Sequence, residues 1–201
     1  MIQGLEAERP PVSTCQTRRP SLAVYGTFDV LNYGDLLFPL LLRDRLGLAE
    51  EQMRAFSPVG GTLAWDDAVT ALPIDSAADF AADLHVIAGG NILHDRVTSL
   101  SDYANGRFGQ RGAYAALWLG AGLIAAGQDR PLAFNAPGVP YPMEPGPAQI
   151  LRDRILAASP CVTLRDDASR EFWGVGTRPG IDTLPDTALD LAALWPAGTL
   201  R

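Results

Sequence analysis

Five short runs of mostly apolar residues, 21–25 (SLAVY), 54–57, 84–88 (LHVIA), 131–135 (PLAFN) and 161–164 (CVTL), punctuate the chain and are separated by segments with helical signals. Because the runs do not alternate strictly with polar residues, each needs cover on both faces, which a strand inside a parallel sheet has. The helices expected between them span 35–46, 76–82, 110–126, 147–157 and 168–173. Asp75 and Ser76 offer caps to the second, Pro147 suits the first turn of the fourth, and Gly47 and Gly127 stand where helices should end. This order predicts an α/β fold, a Rossmann-like parallel sheet with helices on both faces. Ligands of such sheets lie at the carboxyl ends of the strands, so the loops leading into the helices are where chemistry is expected.

With 201 residues, 47% of them apolar, one domain is expected over 21–195, preceded by a flexible tail over 1–20. Residues 196–201 read as a free C-terminus or the start of an interdomain connection. A net charge of −7 argues against a protein that tracks nucleic-acid phosphates. All 16 basic residues are Arg, so lysine Schiff-base chemistry and a phosphate-loop lysine are excluded, and a fixed anion site must use Arg or backbone N–H groups. Cys15 and Cys161 lie in unlike contexts that fit neither a disulfide framework nor a zinc site, which points to a reducing cytoplasm. Residues 1–20 lack the apolar stretch of a secretory signal. The uncharged run 112–128 is rich in small residues and reads as a buried helix rather than a membrane span. No metal site is expected.

Three loops carry candidate chemistry. In GTFDVLNYGD, Gly26 permits a sharp turn, while Asn32, Gly34 and Asp35 bring turn and cap chemistry to a helix N-terminus, where free N–H groups favour anions. Asp35 either caps that helix or serves a ligand. Gly89, Gly90 and Asn91 follow the third apolar run, and paired glycines there let a ligand approach the main chain. His94 beside Asp95 is a candidate acid/base pair or a surface histidine, whereas His85, inside an apolar run, reads as a satisfied core residue. In LRDDAS, Arg165 either presents a planar fork to an oxyanion or pairs with a neighbouring Asp, and Asp166 and Ser169 either join the site or cap the next helix. The turn 135–140 reads as cleft lining or plain connection.

Taken in order, these segments resemble the polysaccharide pyruvyl transferase family. GTFDVLNYGDLLFPLLLRDRL is similar to that family's opening strand, Asn-Tyr-Gly-Asp turn and first helix. VIAGGNILHD is similar to its glycine-rich second signature, with Asn91 in place of a third glycine. CVTLRDDAS is similar to its strand ending in Arg-Asp, and LPDTALDL to its later Pro-Asp segment. The resemblance implies the N-terminal half of a GT-B-type fold and transfer of pyruvate from phosphoenolpyruvate to two hydroxyls of one sugar of a cell-surface polysaccharide precursor, as a cyclic ketal.

The resemblance implies catalytic roles for Asp35, on a sugar hydroxyl, and for His94 or Asp95, in proton transfer. Substrate-binding roles fall on Gly26, Asn32, Gly34, Gly89, Gly90, Asn91, Arg165, Asp166 and Ser169, with Arg165 as the anion anchor. The expected partners are phosphoenolpyruvate and a saccharide acceptor, with no further cofactor. A lipid-linked acceptor would bring peripheral membrane association, and a homo-oligomer is a further expectation. Family members are about twice as long and carry a second Rossmann-type half with a key histidine, so one half alone is expected to be inactive. Two rival readings are a non-catalytic partner-binding half-domain and a nucleotide-sugar glycosyltransferase, which shares the fold.

Overall fold

The computed structural model describes residues 20–195. Seven strands form one all-parallel sheet: β1 (Leu22–Tyr25), β2 (Met53–Ser57), β3 (Ala71–Pro73), β4 (Leu84–Ile87), β5 (Leu132–Phe134), β6 (Cys161–Leu164) and β7 (Ile181–Thr183). Their spatial order is β3-β2-β1-β4-β5-β6-β7. The chain therefore moves outward from β1 in one direction, returns to β4, and moves outward in the other. That reversal opens a crevice between the carboxyl ends of β1 and β4, the place where such sheets hold ligands. The Rossmann-like expectation is met. The expected tail and the residues after 195 lie outside the described residues, as does Cys15.

The central strands β1, β2 and β4 have two apolar faces because the sheet has two cores. Ala23 and Tyr25 of β1 join Phe56, Ile87, Phe134, Trp118 and Trp173 on one side. Leu22 and Val24 join Ala55, Val86, Leu36 and Phe38 on the other. The second side is covered by α1 (Tyr33–Arg45), which buries Leu36, Leu37, Phe38, Leu40 and Leu41. The first is covered by a helical run made of α2 (Gly109–Ala115), a π turn (Ala116–Gly120) and α3 (Ala121–Gly127), with α4 (Pro147–Ala158) beside it. The uncharged run 112–128 is thus spent on core packing, and among the described residues no helix is long and apolar enough to cross a membrane.

Several local expectations are corrected. The first helix begins at Tyr33 rather than at residue 35, with Asn32 in the cap position and no side-chain cap bond. In place of an α-helix over 76–82 there is a 3-10 turn, Ile74–Asp79. Neither Asp75 nor Ser76 caps it: Ser76 Oγ donates to the Pro73 carbonyl at 2.6 Å, and Asp75 pairs with Arg107 at 2.7 Å. Gly47 does end α1 in a left-handed turn (φ 58°), but after α3 the left-handed residue is Asp129 (φ 53°), with Gly127 still helical. Pro147 occupies the first turn of α4 as expected. Strands β3 and β7 had no counterpart among the expected runs.

Candidate functional site

A hollow of about 270 Å³ opens at the carboxyl ends of the strands, against the β1–β4 crevice. Its lining comes from the β1–α1 turn and first helical turn (Thr27, Asn32, Gly34, Asp35), the segment after β4 (Gly90, Asn91), and Tyr114 of α2. Arg165, just after β6, and Asp186 from the segment after β7 join them, with Phe38, Ile92 and Ala188 as the apolar part. Four loops, distant in sequence, thus deliver their polar groups to one place because all the strands run the same way.

The carboxyl of Asp35 lines the hollow beside Thr27. Thr27 Oγ1 donates to its Oδ2 at 2.5 Å. Burial pushes the Asp35 pKa above the ordinary carboxylate range; hydrogen bonds from Thr27 and Asn32 offset part of that, and the charge of Asp186 adds to the rise. Asp35 therefore does more than sit in the first turn of its helix: it is a pre-positioned carboxyl that holds a proton more readily than an exposed one. Burial likewise raises the pKa of Tyr114, with Asp35 pushing the same way, so its hydroxyl stays protonated and able to donate.

Arg165 is half-buried and its guanidinium is approached by a carboxylate on each of two edges. Nε donates to Asp166 Oδ2 at 3.1 Å, and Nη1 lies 3.8 Å from Asp186 Oδ2. Among the described residues neither terminal nitrogen makes a hydrogen bond, so the outer edge of the fork keeps its donors. Behind it, Gly138 leaves room: a Cβ there would fall 2.5 Å from Asn91 Oδ1 and 2.7 Å from Arg165 Nε. The turn 135–140 is thus backing rather than lining. It is fixed by Gly138 N–H donating to the Gly90 carbonyl at 2.8 Å and by Arg165 N–H donating to the Pro137 carbonyl at 3.3 Å.

Other expected site residues lie elsewhere. Gly26 and Gly89 are buried under the rings of Phe28 and Phe38, and a Cβ at either would strike those rings; neither lines the hollow. Asp166 caps α5 (Asp167–Phe172), accepting the Ser169 N–H at 2.6 Å. Buried Ser169 accepts the Val139 N–H through its hydroxyl at 3.0 Å. Asp95 is exposed and outside the lining. His94 is also outside the lining: its ring packs against Tyr114 with centroids 4.1 Å apart and planes tilted by 31°, and its Nδ1 accepts the Arg96 N–H at 3.2 Å. Burial lowers the His94 pKa, Asp95 opposing and Arg96 assisting. His85 is the satisfied core residue expected, bonded to Tyr25 at 2.8 Å and Gln128 at 3.1 Å. Cys161 is free and exposed at the start of β6.

Thr27, Tyr114 and Asp186 line the hollow without having been assigned to a site from the sequence. Thr27 was signalled only by its place between Gly26 and the Asn-Tyr-Gly-Asp turn, and Tyr114 by being the one hydroxyl in the uncharged run 112–128. A larger groove of about 900 Å³ lies between the C-terminal half of α1 and β2–β3, where the β2–β3 connection supplies no helix. It lies away from the strand tips that gather the loops, so size does not make it the better site. Among the described residues no cluster of three or more His, Cys, Asp or Glu side chains could hold a metal ion.

No protein-family model matches the chain, and neither does any curated protein or any solved structure.

Proposed function

We propose that the hollow binds phosphoenolpyruvate beside a sugar and that the chain serves pyruvyl transfer, as the N-terminal half of a polysaccharide pyruvyl transferase with a GT-B-type arrangement. The observation that carries this reading is the pairing, in one hollow, of a guanidinium with unspent donors and a half-buried carboxyl with raised pKa. A planar fork suits the carboxylate or phosphate of the donor. In the reaction a proton adds to the enol methylene, which becomes a methyl group, and the central carbon becomes electrophilic. One sugar hydroxyl adds to that carbon and loses its proton. A second hydroxyl then adds as the bond from the central carbon to the phosphate oxygen breaks, its proton leaving with the phosphate, to give the cyclic ketal and inorganic phosphate.

Asp35 is the group placed to take a hydroxyl proton, and Tyr114 can donate to an oxygen of the bound ligand. His94, packed against Tyr114 outside the hollow, acts at most by positioning that ring. In this reading the protein works in the cytoplasm, which the two cysteines in unlike sequence contexts support.

Joined to a second Rossmann-type half and given phosphoenolpyruvate with a galactose- or mannosamine-bearing acceptor, the wild-type chain should release phosphate and Asp35→Asn should not. Release that is equal in both would overturn the assignment of Asp35. In thermal-shift measurements phosphoenolpyruvate should stabilise the chain where nucleotide sugars do not; the reverse would favour glycosyl transfer.

A second reading, a partner-binding domain, draws on Leu31, Val97, Leu184 and Leu189, which stand 77%, 57%, 49% and 75% exposed on the segments following β1, β4 and β7. Light scattering decides it: concentration-dependent association weakened by Leu31→Ser and Leu189→Ser supports a partner surface there, and a monomer at all concentrations opposes self-association.

A further inference from the structure

Asp186 occupies a position that the anion-anchor role of Arg165 does not require. It sits just beyond β7, where its Oδ1 accepts the Ala188 N–H at 2.9 Å and so caps the 3-10 turn Thr187–Asp190. That turn is pinned to α1 by an ion pair between Asp190 and Arg45. The cap fixes the carboxylate, and its other oxygen faces Arg165 Nη1 at 3.8 Å, too far for a hydrogen bond but near enough for an ion pair. On the opposite edge, Asp166 holds Nε at 3.1 Å. The guanidinium is therefore flanked by two carboxylates, and Asp35 lines the same hollow. Each carboxylate beside the cation weakens its pull on an incoming anion.

We infer that Asp186 is a specificity-determining latch: it holds the guanidinium of Arg165 until an oxyanion takes over Nη1, and its charge sets how strongly the hollow accepts anions. The inference rests on the reading of the hollow as an anion site. The geometry separates the two flanking carboxylates. Asp166 is bonded to Nε and to the Ser169 N–H, and so stays in place as a structural clamp. Asp186 makes no direct bond to the guanidinium, so an incoming oxygen can reach Nη1 without breaking the clamp. A polyhydroxylated neutral ligand, in contrast, would gain an acceptor from Asp186 instead of meeting repulsion.

Calorimetric titration of the full chain with phosphoenolpyruvate, and separately with inorganic phosphate, tests this in the wild type, Asp186→Asn and Asp186→Ser. Both replacements remove the charge while keeping an oxygen able to accept the Ala188 N–H. Both should bind phosphoenolpyruvate and phosphate about 3- to 10-fold more tightly than the wild type, the order expected for one like charge a few ångströms away in a half-solvated site. Unchanged or weaker binding in both variants overturns the latch. Tightening for phosphate with no preference for phosphoenolpyruvate over phosphate keeps the latch and removes the pyruvyl donor. A preference for phosphoenolpyruvate without tightening does the opposite, and binding of neither anion by any of the three proteins removes both.

Discussion

The carboxyl of Asp35 lies against Gly90: a Cβ on that glycine would stand 3.2 Å from Asp35 Oδ1, and its backbone is in the left-handed region at φ 92°. Gly90→Ala therefore meets both a strained backbone and a crowded carboxyl. The replacement should cost about 1–3 kcal/mol of stability in urea unfolding. Gly34→Ala, whose Cβ would find only Asn32 Oδ1 at 3.4 Å, should cost less. Equal losses would mean that Gly90 is not held by this geometry.

Asp35 gives a pH signature. Its folded-state pKa lies above the unfolded value, burial being the main cause, so its protonated form favours folding. That contribution is present below the ordinary carboxylate range and is lost as pH rises through the raised pKa. The stability of Asp35→Asn relative to wild type should thus grow as pH increases from about 4 towards neutrality. Parallel pH profiles for the two proteins would refute the half-buried, raised carboxyl.

Asp166 should behave in the opposite way. Burial opposes its ionisation, but the hydrogen bonds from Ser169 and Arg165 outweigh it and the pKa falls below the ordinary value. Its contribution to folding is present above the ordinary carboxylate range and is lost as pH falls through the lowered pKa. Asp166→Ala should cost about 1 kcal/mol through the lost cap, with Asp166→Asn retaining most of that. An alanine variant as stable as wild type in chemical denaturation would show that the cap is dispensable.

The chain has 2 histidines, and burial lowers the pKa of both His85 and His94. In proton NMR both rings should titrate below the ordinary histidine range. The His94 resonance should also shift on Tyr114→Leu, because the ring packed against it is removed. A His94 that titrates like a free imidazole would contradict its packing against Tyr114.

The inner strands were legible because β1, β2 and β4 sit between two cores and are apolar on both faces, while β5 and β6 give Leu132, Phe134, Val162 and Leu164 to one of those cores. The edge strands were not legible for the same reason in reverse. β3 (Ala-Leu-Pro) has Leu72 and Pro73 exposed, and β7 (Ile-Asp-Thr) buries only Ile181, so neither leaves an apolar run. Missing β7 hid Asp186, since a Pro-Asp pair carries no site signal until it is known to follow a strand tip. Asn32, Gly34, Asp35, Gly90, Asn91 and Arg165 could be gathered from sequence because each follows a legible strand. His94 and Asp95 also follow one, but the segment after β4 carries them past the crevice. Proximity in sequence to the glycine pair did not become proximity in space.

The measurement closest to the central claim is the affinity of the full chain for phosphoenolpyruvate in the wild type, Arg165→Gln and Arg43→Gln, the last replacing a cation of the larger groove beside α1. With Arg165 as the anchor, Arg165→Gln should weaken binding about tenfold or more, as expected for a lost charge-assisted contact, and Arg43→Gln should bind as the wild type does. Wild-type affinity in Arg165→Gln, or loss confined to Arg43→Gln, would show that the strand-tip hollow is not where the anion goes.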